Sequence, residues 1–120
     1  ADDLFDLLNE YSSYSFGAGG LFLTLSELHK FGLFYLNKGK WNGKQILSEK
    51  WIEESTMASD TDDYGYLFWK GEQNSFRADG KYSQITMVLS EKNAVVSLVA
   101  ECRKGEELMR ALYDLVCAKL

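Results

Sequence analysis

Residues 82–90 and 94–101 constrain this chain more tightly than any other feature. Both stretches are strand-sized and apolar, and only Glu91-Lys92-Asn93 separates them, a link short enough to force an antiparallel return. In 82–90 the alternation puts Ile85, Met87 and Leu89 on one face and Thr86 and Val88 on the other. Residues 94–101 are apolar on nearly both faces, the pattern of a strand covered from both sides, so this strand is expected at the centre of a sheet.

Helices must cover such a sheet, and the sequence supplies them. Thr24 and Glu27 form a capping box, and Leu25, Leu28, Gly32, Tyr35 and Leu36 recur at helical spacing until Asn37-Lys38-Gly39 closes the helix. Trp41-Asn42-Gly43-Lys44 signals a tight hairpin, because Asn-Gly suits the two-residue turn with both residues left-handed. Ser48 caps a short helix carrying Trp51 and Ile52. Residues 2–10 read as helix, 11–20 as a Ser- and Gly-rich break, and 57–63 as an acidic loop. Residues 64–71 alternate as one aromatic strand and 73–78 as a short strand, with Asp79-Gly80 as the turn that follows. Residues 106–119 form a last helix with Leu108, Leu112, Leu115 and Val116 on one face, acids at its start and Lys119 at its end. Helices and strands grouped in this way predict an α+β fold, an antiparallel sheet with helices packed on it, in a single domain over residues 1–120.

Composition narrows function mainly by exclusion. A hydrophobic content of 46% is enough for a core, and no run approaches the ~20 apolar residues of a membrane span. The net charge of −5, with acids and bases interspersed, argues against a nucleic-acid partner or an anionic membrane surface. The start, Ala1-Asp2-Asp3, is acidic, carries no signal peptide, and is expected to be an internal cut or an artificial boundary. Cys102 and Cys117 fit no metal spacing and are expected as buried thiols, with a disulfide between them left open as the alternative.

Catalytic signals are incomplete. His29 is the single histidine, so no histidine cluster can hold a metal, and Asp60, Asp62 and Asp63 lack the loop of a calcium site. No Ser-x-x-Lys or Gly-x-Ser-x-Gly occurs, and Gly17-Ala18-Gly19-Gly20 lacks the lysine of a phosphate loop. His29 lies on a helix flank with no orienting acid for a Ser–His pair. Trp41, Trp51, Trp69, Tyr64 and Tyr66 would serve as a ligand platform, although aromatic alternation on a strand more often builds core.

Four segments in order carry a resemblance. Gly19-Gly20-Leu21 with Thr24, Leu28 and Phe31 resembles a GGL-x-x-T-x-x-D-L-x-x-F segment. Gly39-Lys40-Trp41-Asn42-Gly43 through Ile46-Leu47-Ser48 resembles GG-x-W-NG-x-x-ILS. Tyr64-Gly65-Tyr66-Leu67-Phe68-Trp69 is similar to YGYGFW, and Ala78-Asp79-Gly80-Lys81-Tyr82-Ser83-Gln84 to A-x-G-x-x-G-Q. Together they resemble the C-terminal portion of the serine β-lactamase and penicillin-binding-protein family, over roughly residues 16–101.

The resemblance implies a bacterial, extracytoplasmic hydrolase, periplasmic or at the cell surface. It would transfer the acyl group of a β-lactam, peptide, amide or ester through a seryl intermediate, without cofactor or metal. The Ser-x-x-Lys nucleophile and the Tyr-x-Asn or Ser-x-Asn motif would lie upstream, in a missing N-terminal half that is this chain's expected partner. The third active-site element falls on Ala78-Asp79-Gly80, of which only Gly80 matches; Ala78 cannot supply the cation that holds a substrate carboxylate in better-known members. By resemblance Lys81 donates its backbone N–H to the oxyanion hole, and Asp79, Gly80, Lys81 and Tyr82 line the substrate, a small molecule or peptide. The chain alone is then expected to be inactive and to self-associate through surface meant for the other half. The alternative is a non-catalytic ligand-binding or interaction module of the same fold.

Overall fold

Helix α1 (Leu25–Leu36) begins where its capping box requires: the Glu27 N–H donates to the Thr24 hydroxyl at 3.2 Å, and the Thr24 N–H to the Glu27 carboxylate at 2.7 Å. The structure, a computed structural model, describes residues 22–57, 63–80 and 83–120. The expected helix over 2–10, the break over 11–20 and most of the acidic loop lie outside the described residues. After α1 come the two-residue strands β1 (Lys40–Trp41) and β2 (Lys44–Gln45), joined through Asn42 and Gly43 at φ 49° and 77°, both left-handed as the Asn-Gly signal requires. Ser48 caps α2 (Glu49–Thr56), its hydroxyl accepting from the Trp51 N–H at 3.1 Å.

The second half is a five-stranded antiparallel sheet in sequential order: β3 (Tyr64–Gly65), β4 (Phe68–Lys70), β5 (Ser75–Gly80), β6 (Gln84–Leu89) and β7 (Ala94–Val99). Residues 64–71, expected as one strand, are two strands reversed at Tyr66 and Leu67. Alternation continues on both sides of the reversal, and its left-handed position holds Leu67 at φ 73°, so no glycine announces it. The β5–β6 turn also closes later than expected: Asp79 and Gly80 finish β5, and the Ser83 N–H donates to the Gly80 carbonyl at 3.2 Å.

The largest departure concerns β7. Its apolar composition predicted a central strand, yet it pairs only with β6 and stands at the sheet's edge among the described residues, half-buried and with Val99 50% exposed. The fully covered strand is β6, where Ile85 through Leu89 are all buried.

Each face of β6 belongs to its own core. Ile85, Met87 and Leu89 pack with Tyr113 and Cys117 of the C-terminal helix, and Val88 packs with Tyr35, Ile52 and Phe68 under α1 and α2. α1 approaches the sheet closely at Gly32, where an added Cβ would collide with the Thr86 hydroxyl and the Val95 side chain.

The C-terminal helix is α3 (Gly105–Ala111), which widens into a π turn over Leu112–Val116 and tightens into a 3₁₀ turn over Cys117–Lys119. Its buried stripe is Met109, Leu112, Tyr113 and Cys117, so the face expected from Leu108, Leu112, Leu115 and Val116 is rotated by about one residue. Leu115 and Val116 are exposed. The physical cause is where the helix anchors: the Tyr113 hydroxyl accepts from the Glu72 N–H at 3.1 Å and meets the Ser75 hydroxyl at 3.2 Å, and Cys117 sits against Met87 with the sulfurs 3.9 Å apart.

Candidate functional site

The β5–β6 turn holds the described members of the expected site, because strand pairing exposes the end of β5. β4 pairs with β5 at Trp69↔Arg77 and Lys70↔Phe76, whereas β6 pairs with β5 as far as Gly80↔Gln84. Past Arg77, therefore, β5 keeps a strand partner on one side only among the described residues. Asp79 and Gly80 occupy this one-sided end; Lys81 and Tyr82, and with them the expected oxyanion amide, lie outside the described residues.

A groove of about 680 Å³ runs from this turn along the sheet to α3. Asp79, Gly80 and Ser83 form one end, Cys102, Arg103 and Gly105 the lip, and Ile85, Met109 and Tyr113 the apolar floor. Its size falls within the ~300–1,000 Å³ usual for small-molecule sites.

Four of the charged groups lining the groove, Arg77, Asp79, Glu72 and Arg110, take part in ion pairs. Arg77 Nε donates to the Asp79 carboxylate at 3.1 Å, both side chains mostly covered, as residues two apart on one strand face allow. Arg110 forms two bonds to Glu72, at 2.7 and 2.9 Å, and a third contact to Asp114 at 3.1 Å. Hydrogen bonding from Arg110 holds the Glu72 carboxyl below its ordinary range, and the same bonds push the guanidinium further up.

On the opposite face, His29 Nδ1 lies 2.8 Å from the Ser97 hydroxyl, which lies 2.9 Å from the Thr86 hydroxyl. This chain ties α1 to β7 and β6, so His29 does meet a serine. Among the described residues the imidazole bonds to a hydroxyl and not to an orienting carboxylate, and the arrangement is a structural link. Burial raises the Tyr35 phenol, opposed by a hydrogen bond with Ser55, and burial likewise raises the Cys117 thiol. Cys117 is buried as expected, Cys102 only partly, and both are free.

The aromatic group is less buried than its alternation suggested. Trp51 meets Tyr66 in a tilted contact at 5.6 Å and Tyr64 meets Trp69 likewise at 4.6 Å, yet Trp51 on α2, Tyr66 at the reversal and Trp69 on β4 are 45%, 61% and 40% exposed. Among the described residues no group of three acid, histidine or cysteine side chains could hold a metal ion. No helix among them is long and apolar enough to cross a membrane.

Sequence reasoning reached Asp79 and Gly80 but missed Arg77, Ser83 and the Glu72–Arg110 pair. Arg77 and Asp79 share parity on a strand, a signal present in the sequence. Glu72 and Arg110 are 38 positions apart, and no spacing rule connects them. What these residues can do together is bind and orient a ligand beside an open strand end.

No family model matches the chain, and no curated protein does. A solved structure from Bacillus anthracis described as a 6-aminohexanoate-dimer hydrolase is similar, with a TM-score of 0.63 at 22% identity, over 75% of this chain and 27% of that one. The chain thus spans about a quarter of that neighbour's length. At this identity the likeness bears on fold alone: the chain is α+β, an antiparallel sheet with helices packed on it, and it shares the β-lactamase-like fold of that neighbour.

Proposed function

We propose that this chain is the C-terminal part of a serine hydrolase of the β-lactamase and penicillin-binding-protein kind. Its parent cleaves an amide, peptide or ester through a seryl intermediate, and the nucleophile and its base come from an N-terminal half outside this chain. The observation that carries this reading is the one-sided end of β5: Ala78-Asp79-Gly80, the segment that resembles the third active-site element, is where β4 stops pairing and the groove begins. A substrate carbonyl can approach a strand end that is open on one side among the described residues, and a turn amide there would stabilise its developing charge, a contact worth about 3 kcal/mol of barrier. The neighbour's hydrolase description agrees with this class of chemistry. β7 supports a larger parent, because six uncharged residues at a sheet edge call for a cover.

A second reading, a non-catalytic binding module, draws on Ala78, which leaves the expected cation out, and on the exposed Trp51–Tyr66 pair. The test has two parts. The chain alone, incubated with a fluorescent penicillin and a chromogenic ester, should show neither labelling nor turnover; covalent labelling of one of its serines, lost when that serine is replaced, sinks the proposal. The longer reading frame should carry Ser-x-x-Lys on a predicted helix upstream of Gly19, and its absence favours the module.

A further inference from the structure

We propose that the hydrogen-bonded chain His29–Ser97–Thr86 is an acid-sensitive latch. It holds α1 on the sheet while the imidazole is neutral with its proton on Nε2, and it loosens when the ring takes a second proton. The latch works in the same way whether the parent is a hydrolase or a binding module.

Ser97 has one hydroxyl proton for two partners, the His29 Nδ1 at 2.8 Å and the Thr86 hydroxyl at 2.9 Å. Among the described residues the Thr86 hydroxyl has Ser97 as its one partner. With Nδ1 bare, Thr86 donates to Ser97 and Ser97 donates to Nδ1, so both protons and the ring nitrogen are satisfied. With a proton on Nδ1 the direction reverses. His29 then donates to Ser97, Ser97 donates to Thr86, and the Thr86 proton is left without an acceptor. Water cannot take it: Thr86 is 2% exposed, and Gly32 of α1 lies so close to its hydroxyl that a methyl group would not fit between them. A buried donor without an acceptor is costly, and here the cost falls on the contact between α1, β6 and β7.

Nothing beside the ring compensates for the added charge. β6 and β7 carry no titratable side chain. On α1 the charged neighbours are Glu27 and Lys30, and the Glu27 carboxylate is held at the helix start by the Thr24 N–H at 2.7 Å. Lys40 of β1 follows the opposite end of α1. α2, β4 and β5 meet α1 at Phe31 and Tyr35, through Ser55, Phe68 and Phe76, none of them charged. No ion pair joins His29 to an acid among the described residues. The latch therefore contributes while the ring is neutral and is lost as pH falls and the second proton binds.

His29 is the chain's one histidine, so its ring nitrogens can be followed directly. Long-range proton–nitrogen spectra of the intact, ¹⁵N-labelled chain at neutral pH should show Nδ1 bare and the proton on Nε2. Native-state hydrogen exchange, corrected for the intrinsic rate, should then compare α1 with the ring singly and doubly protonated, as the same spectra define. Protection of the α1 amides should fall at least about fivefold on the second protonation, the size of one lost hydrogen bond. Two variants remove this step from opposite sides. His29→Asn keeps an acceptor near the Nδ1 position and does not titrate, so α1 should hold one level of protection at both pH values. Ser97→Ala breaks the chain for either state of the ring, so protection should be low at both. The proposal is overturned if Nδ1 carries the proton at neutral pH, if α1 protection ignores the second proton, or if either variant keeps the step of the unmodified chain.

Discussion

β6 and β7 are neighbours of equal length, and by composition alone β7 should be the more deeply buried: it is Ala-Val-Val-Ser-Leu-Val, whereas β6 carries Gln84 and Thr86. The structure reverses that order. β6 has a strand on each side and a core on each face, and its threonine is buried with its hydroxyl bonded to Ser97. β7 shares both cores through Val95 and Val96 but has only one strand beside it. Burial of a strand thus depends on edges as much as on faces, and hydropathy reports only the faces. A strand dressed for the centre and found at the edge points to a neighbour outside the described residues.

The widest gap between the two strands should appear in core truncations. Met87→Ala removes a side chain with no exposure, wedged between Ile85, Leu89 and Cys117, and should cost about 2–5 kcal/mol. Val96→Ala on β7 faces the same cluster from a half-buried position and should cost about 1 kcal/mol. Urea unfolding of both variants checks this; equal losses would mean that β7 is as covered as β6 and would remove the contrast. Next in size is Gly32→Ala. The new methyl would overlap both strands at once, Thr86 on β6 and Val95 on β7, so α1 must lift away. Overpacking of this kind costs about 1–3 kcal/mol, against a gain of ~1 kcal/mol from alanine in a helix, so a net loss is expected in the thermal midpoint. A stabilised variant would show that α1 is not seated on the pair.

Much of this was legible in the sequence, and what was not has a common cause. Local signals were sufficient for the Thr24–Glu27 box, the Asn42-Gly43 turn and the Ser48 cap, since each depends on residues within a few positions of one another. The faces of β6 were equally legible, because they require only period-two alternation. Failures began where the deciding partner was remote. The stripe of α3 is set by Glu72, Ser75 and Met87, none of them on the helix. The reversal at Leu67 has the backbone of a glycine turn without the glycine, so only the resemblance to a YGYGFW pattern marks the position. At the candidate site the Asp79-Gly80 turn could be read in advance but the groove could not, because α3 closes it from far along the chain, with Gly105 beside Ser83.

The hydrogen-bonded chain His29–Ser97–Thr86 crosses both strands, and its middle member is on β7. Ser97→Ala leaves the buried Thr86 hydroxyl and the His29 Nδ1 one partner short each, at a cost of about 1 kcal/mol. Ser97→Thr keeps a hydroxyl on the strand and should recover much of the loss. Native-state hydrogen exchange should report the effect in α1, the element the chain holds to the sheet; unchanged protection there would make the link incidental.

The smallest effect on stability should discriminate best between the two accounts of β7, a finished edge or an uncovered one. Val99 is half exposed at the end of the edge strand, opposite Gln84, so Val99→Lys should change unfolding free energy by no more than about 0.5 kcal/mol. Lysine on an edge strand is nonetheless a strong obstacle to pairing with another chain, because its charge must be desolvated where two backbones meet. If β7 is an edge awaiting a cover, the unmodified chain should sediment as associated species at high concentration and bind a dye specific for apolar surface. Val99→Lys should then shift it towards monomer with its stability intact. Association that persists in the variant would assign it to another surface, such as the exposed Trp51–Tyr66 pair. A strictly monomeric unmodified chain with no dye binding would show that β7 is at rest as an edge, and the contrast with β6 would then no longer point to a missing neighbour.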